Sequence, residues 1–195
     1  MKMCADDVRD SMPLFRSGCG GSTPTSALQI RFHPIGLKCA LDLNRLWHSR
    51  MPNLPLWNVR TKHGFAYVAS YEGRYYATAI WSTPIARQLD TGTILELRRM
   101  AISEDAPKNL ASRMLGWMVR ELRKDPQWTN AISYQDTEVH RGTIYKASGW
   151  IATNTSTGKT GWDTGGKTYG SRRKVMTRHQ SQGTAPKVRW EMSLQ

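Results

Sequence analysis

Cysteine is scarce in this chain of 195 residues: Cys4, Cys19 and Cys39 make up an odd set with no Cys-x-x-Cys spacing. That argues against a disulfide framework and a cysteine-based zinc site, and it fits a reducing compartment. Long apolar runs are missing too. No stretch of about 18 residues is apolar enough to cross a bilayer, so no membrane partner is expected. Met1 to Arg16 carries Asp6, Asp7 and Asp10 around no apolar centre, unlike a signal peptide. The chain has no Walker-type glycine loop, helix-turn-helix, zinc-finger spacing or internal repeat, which sets aside the common nucleotide- and DNA-reading modules. Acids are few: 15 stand against 28 lysines and arginines, leaving a net charge of +13. A pI near 10.1 means that such a surface gathers polyanions by releasing their counterions, and nucleic acid is the leading partner.

The chain is long enough to bury one core. Residues 1–26, with Ser17-Gly18-Cys19-Gly20-Gly21-Ser22-Thr23-Pro24, read as a flexible arm, and residues 27–195 as a single domain. Leu28 to Phe32 predicts a first strand and Leu37 to Trp47 a helix. A proline-rich turn leads to two alternating strands, Gly64 to Tyr71 and Tyr75 to Thr83, joined at Glu72-Gly73-Arg74. Ile151 to Thr155 and Lys187 to Leu194 are further strands. Between them, 157–187 is a glycine-rich basic insertion with one acid, Asp163. Lys159, Lys167, Arg172, Arg173, Lys174 and Arg178 suit phosphates there, and Trp162 and Tyr169 could stack on bases; a solvated loop is the plainer alternative.

The organising stretch is 93–150. Ile94 to Ile102 alternates as a strand with Glu96 and Arg98 on one face and Leu95, Leu97 and Arg99 on the other. From Asn109 to Lys124, Leu110, Met114, Trp117, Met118 and Leu122 fall on one helical face. Trp128 to Tyr134 reads as a strand, Gln135 to His140 as a polar turn, and Arg141 to Ala147 as a short helix ended by Ser148-Gly149. This order, closing on Ile144-Tyr145-Lys146-Ala147-Ser148-Gly149-Trp150, resembles the acetyltransferase superfamily called GNAT. Glu96-Leu97-Arg98-Arg99, Asn109-Leu110-Ala111-Ser112, Ser133-Tyr134-Gln135-Asp136, His140 to Ala147 and Trp47-His48-Ser49-Arg50-Met51-Pro52 resemble the Mom-type proteins of Mu-like bacteriophages.

The resemblance implies an α/β, GNAT-like, mostly antiparallel sheet flanked by helices. It also implies an enzyme that places a carbamoylmethyl group on the exocyclic N6 amine of adenine in double-stranded DNA, with the base flipped out. Such a protein would shield phage DNA from restriction in the host cytoplasm. A conventional acetyl-coenzyme A-dependent N-acetyltransferase and a non-catalytic basic DNA-binding protein are the alternatives, and a homodimer is left open.

An acyl-coenzyme A-like donor would bind at Ala106 to Arg113, where helix N–H groups meet a pyrophosphate. The family's glycines are missing from Pro107-Lys108-Asn109-Leu110-Ala111-Ser112, which is at odds with ordinary acetyl-coenzyme A binding. Lys108, Asn109, Ser112, Arg113 and the preceding Arg99 are the candidates to hold the donor; Asn109 could instead cap the helix. An adenine amine has its lone pair in the ring, so a group must take its proton. Asp136 is the first candidate, a solvated turn aspartate its alternative. By the resemblance Tyr145 is the general acid. His48 fits packing at a helix end or a functional role, and His48, Asp136 and His140 form the set that iron sites use. Trp47, Tyr134 and Trp150 are candidate walls for the base, or core.

Overall fold

The computed structural model describes residues 22–48, 52–156 and 186–195. In chain order its strands are β1 (Arg31–Ile35), β2 (Phe65–Tyr71), β3 (Arg74–Ser82), β4 (Ile94–Ile102), β5 (Asn130–Asp136), β6 (Ile151–Ser156) and β7 (Lys187–Ser193). The helices are α1 (Leu37–Trp47), α2 (Leu56–Arg60), α3 (Leu110–Leu122) and α4 (Thr143–Ala147). One sheet runs β1-β2-β3-β4-β5-β7-β6, with every neighbour antiparallel except β4 and β5. The expected mixed α/β sheet is therefore present.

A parallel pair needs a crossover, and α3 supplies it. Its Leu110, Met114, Leu115, Met118, Val119 and Leu122 are buried with Trp81, Leu95 and Leu97 on one face of the sheet. Each such side chain contributes roughly 1.5–3 kcal/mol on leaving water. Trp117 extends the packing to Phe32 and Tyr67, with ring centroids 5.4 and 5.1 Å away. On the other face Ala40 and Leu41 of α1 and Val59 of α2 meet Ala66 and Ile80.

Four local readings change. Ala27–Gln29 is a 3-10 turn, and the strand begins only at Arg31, because Ser26 and Gln29 form a reciprocal capping box that closes the chain on itself. Residues 22–26 are held as well: Ser22 Oγ donates to Glu72 Oε2 at 2.7 Å, and Pro24 is buried. The proline-rich turn contains α2, with Pro55 as N-cap at φ −63° leading the chain into a helix. Strand β5 continues to Asp136 because β7 pairs with it along that whole length.

Gly142 precedes α4 at φ +72°, and a Cβ there would lie 2.6 Å from Trp190 Cζ2 and 2.7 Å from Gln135 Oε1. Left-handed backbone and overpacking act together, so Gly142→Ala is expected to cost about 2–4 kcal/mol. Urea unfolding of the two proteins checks it; equal midpoints would mean that the α4 entry can shift freely.

Candidate active site

Strands β4 and β5 pair only from Ile94↔Asn130 to Leu97↔Ser133. Beyond that point β4 stays with β3 and β5 with β7, so the two part and open a wedge toward their carboxyl ends. At the parting, the register of β3 with β4 slips: Trp81 faces Leu97 while Ile80 faces Arg99, leaving Arg98 as an extra bulged residue. The bulge corrects the expected alternation. Arg99 is turned away from the Leu95 and Leu97 face and joins Glu96 and Arg98 on the side of Ile80.

That side of the wedge is rich in charge. Glu96 and Arg98 are each 7% exposed and lie 3.6 Å apart, Oε1 to Nε. Glu96 Oε2 also accepts the Ile85 N–H at 3.1 Å, and Arg98 donates to Ser82 Oγ at 3.1 Å and Asn58 Oδ1 at 3.3 Å. Burial pushes the Glu96 carboxyl up, opposed by that N–H and by Arg98, Arg99 and Lys187. Arg99 donates from Nη1 to the Arg98 carbonyl at 2.6 Å, but its buried Nε has no hydrogen-bond partner. Burial, then the charge of Arg98, pulls its pKa down. Sequence reasoning gave Glu96 no chemical role; its signal was a single acid set among the apolar residues of a strand, two positions before a pair of arginines.

His48 ends α1 on the same side, half-buried. Burial lowers its pKa below the ordinary 6.5, helped by Arg99 and His140. The imidazole thus stays neutral into mild acid. The unfolded chain takes up the proton at a higher pH than the folded one, so this contribution to stability is fully present above 6.5 and is lost as pH falls through the lowered folded value. Urea unfolding between about pH 5 and pH 7 should show stability rising with pH in the native chain and a flatter profile in His48→Gln. Identical profiles would remove His48 as the titrating group.

At the vertex, on the α3 side, Tyr145 stands in the core at 8% exposure. Its ring stacks on Trp190 at 5.3 Å and meets Trp150 edge-on at 5.7 Å. Its hydroxyl is 2.9 Å from Ser133 Oγ, which in turn reaches the Leu97 carbonyl at 3.4 Å. Leu97 and Ser133 are the last paired residues, so the phenol is fixed where the strands separate. Burial raises its pKa, and the Ser133 hydrogen bond works against that.

The turn before α3 contains no glycine and takes its left-handed step at Asn109. Asn109 is left-handed, φ 66° and ψ 5°, a conformation asparagine tolerates better than most residues. Its side chain makes no cap hydrogen bond, and Ser112 Oγ donates to its carbonyl at 3.2 Å. Lys108 is exposed beside it. Arg113 is committed elsewhere: Nη1 donates to the carbonyls of Ala27 at 2.6 Å and Ile30 at 2.9 Å, and the guanidinium lies over Phe32. It ties α3 to the start of the sheet and is removed from the donor-binding set.

Asp136 closes a turn. Its Oδ1 accepts the Glu138 N–H at 3.0 Å, and its carbonyl accepts the His140 N–H at 3.1 Å. Buried Gln135, which sequence reasoning passed over, holds this turn to the core by donating from Nε2 to the His140 carbonyl and accepting the Trp190 indole N–H at 2.7 Å. The expected iron set does not assemble: among the described residues no three His, Cys, Asp or Glu side chains group as metal ligands. His48 is drawn to a cationic neighbourhood of Arg99 and His140, which suits an anion better than a metal ion. Of the expected base walls, Trp150 is core, Trp47 is half-buried and Tyr134 is 40% exposed. Lys159, Lys167, Arg172, Arg173, Lys174 and Arg178 lie outside the described residues.

The sheet is similar to solved acetyltransferases. A GNAT family acetyltransferase from Elizabethkingia anophelis, solved with acetyl-CoA, matches with a TM-score of 0.56 at 15% identity over 85% of this chain and 98% of that one. The ribosomal-protein-S18-alanine N-acetyltransferase from Escherichia coli matches at 0.57 with 10% identity, over 85% and 94%. An IAA acetyltransferase from Bacillus cereus matches at 0.54 with 12% identity, over 84% and 99%. No curated protein matches by sequence. The model of the Mom protein family matches residues 65–193.

Proposed function

We propose, from the premise that this chain belongs to the Mom protein family, that it is a transferase which puts a carbamoylmethyl group on the N6 amine of adenine in DNA. The modification would shield phage DNA from restriction in the host cytoplasm. One observation carries the reading. Where β4 and β5 part, two kinds of group meet from opposite faces: the Tyr145 phenol of α4 on the α3 side, and Arg99 of β4 with His48 at the end of α1 on the other, His140 being close enough to act on His48.

A coenzyme A-class donor entering from the α3 side would meet Tyr145, a protonated phenol able to protonate the leaving sulfur. For the carbamoylmethyl product the N6–CH2 bond forms as the bond from that methylene to sulfur breaks, whereas loss of sulfur from an acyl carbon would give the isomeric N6-acyl amide. The Elizabethkingia neighbour holds acetyl-CoA on this fold, which supports the donor class. From the other side an extruded adenine would present its amine to the neutral imidazole of His48, and Arg99 would face negative charge as the bond forms. Asp136 then serves by shaping the turn that carries His140. Double-stranded DNA is reached through the basic insertion 157–187. Its flanking residues Ser156 and Lys187 pair with each other, and Lys187 pairs with Asp136, so both ends of the insertion leave the sheet beside the wedge.

The test is the nucleoside itself: DNA from cells expressing the chain, digested and analysed by tandem mass spectrometry. A carbamoylmethyl group and a glycyl group contain the same atoms, so fragmentation must place the methylene next to N6. Unmodified adenine in that DNA would overturn the reading, and an N6-acetyl product would return the chain to ordinary acetyl transfer.

A further inference from the structure

Two large aromatic side chains are exposed among the described residues, Tyr134 on β5 at 40% and, more fully, Trp57 away from the sheet. Trp57, in α2, is 68% exposed. Its backbone is nevertheless fixed: the Trp57 carbonyl accepts both the Thr61 N–H at 3.0 Å and the Thr61 hydroxyl at 2.9 Å. The turn that follows is pinned in its own right. The Lys62 carbonyl accepts from the backbone N–H and the hydroxyl of Thr83, at 2.9 and 3.2 Å. A lone exposed indole needs no partner on its own account; what singles out Trp57 is the charge beside it and the tie of its helix to the wedge.

Charge indicates the partner that suits it. No acid occurs between Asp42 and Glu72, and the turn after Trp57 presents Arg60, Lys62 and His63, with Arg60 and His63 exposed. An aromatic plane flanked by cations matches a nucleic-acid strand, in which each unpaired base offers a face for stacking and the neighbouring phosphates pair with the cations. The next residue, Asn58, accepts from Arg98 Nη2 at 3.3 Å, which joins α2 to the charged side of the wedge.

We propose that α2 and its following turn form a DNA-contact surface in which Trp57 stacks on an unpaired base while Arg60 and Lys62 hold flanking phosphates. The proposal rests on DNA being the substrate and names the residue that stacks on a base left unpaired beside the adenine that enters the wedge. An exposed tryptophan can be changed without opening the core, so the variants fold.

The experiment uses the full chain and a duplex oligonucleotide carrying one 2-aminopurine, followed by anisotropy and by 2-aminopurine emission at several salt concentrations. Trp57→Ala should weaken binding roughly tenfold and abolish the emission change, and Trp57→Phe should recover most of both. Arg60→Ala with Lys62→Ala should lower the magnitude of the salt slope by about two, near one per lost phosphate contact. Native affinity in Trp57→Ala would give the indole to a different macromolecule and overturn the proposal. The outcomes also separate the two readings. Full adenine modification by Trp57→Ala would remove the contact surface and leave the enzyme reading intact. An unmodified genome under the native chain, with Trp57→Ala still losing DNA affinity, would do the reverse.

Discussion

Replacing Tyr145 by phenylalanine is expected to leave the chain folded and to lower adenine modification about 10²–10⁴-fold, the range that a positioned proton donor supplies. The phenyl ring keeps the stack on Trp190 and the edge contact with Trp150, so the packing that fixes α4 survives. What is lost is one hydroxyl. Ser133 Oγ then loses the tyrosine but keeps the Leu97 carbonyl, which confines the stability cost to about 1 kcal/mol. Burial raises the phenol pKa, so the native group carries its proton throughout the neutral range and is available as a donor to the leaving group in the transition state. Modified nucleoside yield per unit of folded protein is the measurement. Native yield from Tyr145→Phe would make the hydroxyl a core hydrogen bond and nothing more.

The fold was legible where a pattern of period two or 3.6 ran uninterrupted. Ile94–Ile102 and Leu37–Trp47 have the predicted bounds, and α3 is short of its prediction by one residue at the start and two at the end. Legibility failed where a local hydrogen bond outranked the pattern. The apolar run at Leu28 reads as strand, but Ser26 and Gln29 bend it into a turn. A bulge is also invisible to alternation, because one extra residue moves every later side chain to the other face. That is why Arg99 was placed with Leu97 when it belongs with Glu96. At the site, Tyr145 stood out by the resemblance alone and His48 by its place at a helix end beside Trp47, whereas Ser133 and Gln135 did not stand out. Their roles come from meeting residues 12 and 55 positions away, Tyr145 and Trp190, which no local spacing encodes. Arg113 was misread for the converse reason: its place in the phosphate turn is local, and its partners, Ala27 and Ile30, are not.

Arg99→Met is expected to move stability and activity in opposite directions. Two guanidiniums, Arg98 and Arg99, share the single carboxylate of Glu96, and Arg98 has the nearer claim at 3.6 Å together with Ser82 and Asn58. Arg99 is left with the Arg98 carbonyl, a buried Nε without a partner, and repulsion from Arg98. A cation held in that way costs the fold, because desolvation is not repaid by pairing. Methionine fills similar volume without charge, so the unfolding midpoint should rise by an amount on the order of 1 kcal/mol. The same incomplete pairing leaves Arg99 with positive charge that its surroundings do not fully match, to be met by negative charge forming in the wedge. Its removal should lower modification about 10²–10³-fold, as loss of one such donor does elsewhere. Arg99→Lys keeps the charge and loses the fork, and should fall between the two. Denaturant unfolding and nucleoside yield, measured on the same preparations, decide the matter. A variant that is less stable and fully active would show that Arg99 is a structural cation satisfied by its surroundings, and the anion site would have to be sought elsewhere on the wedge.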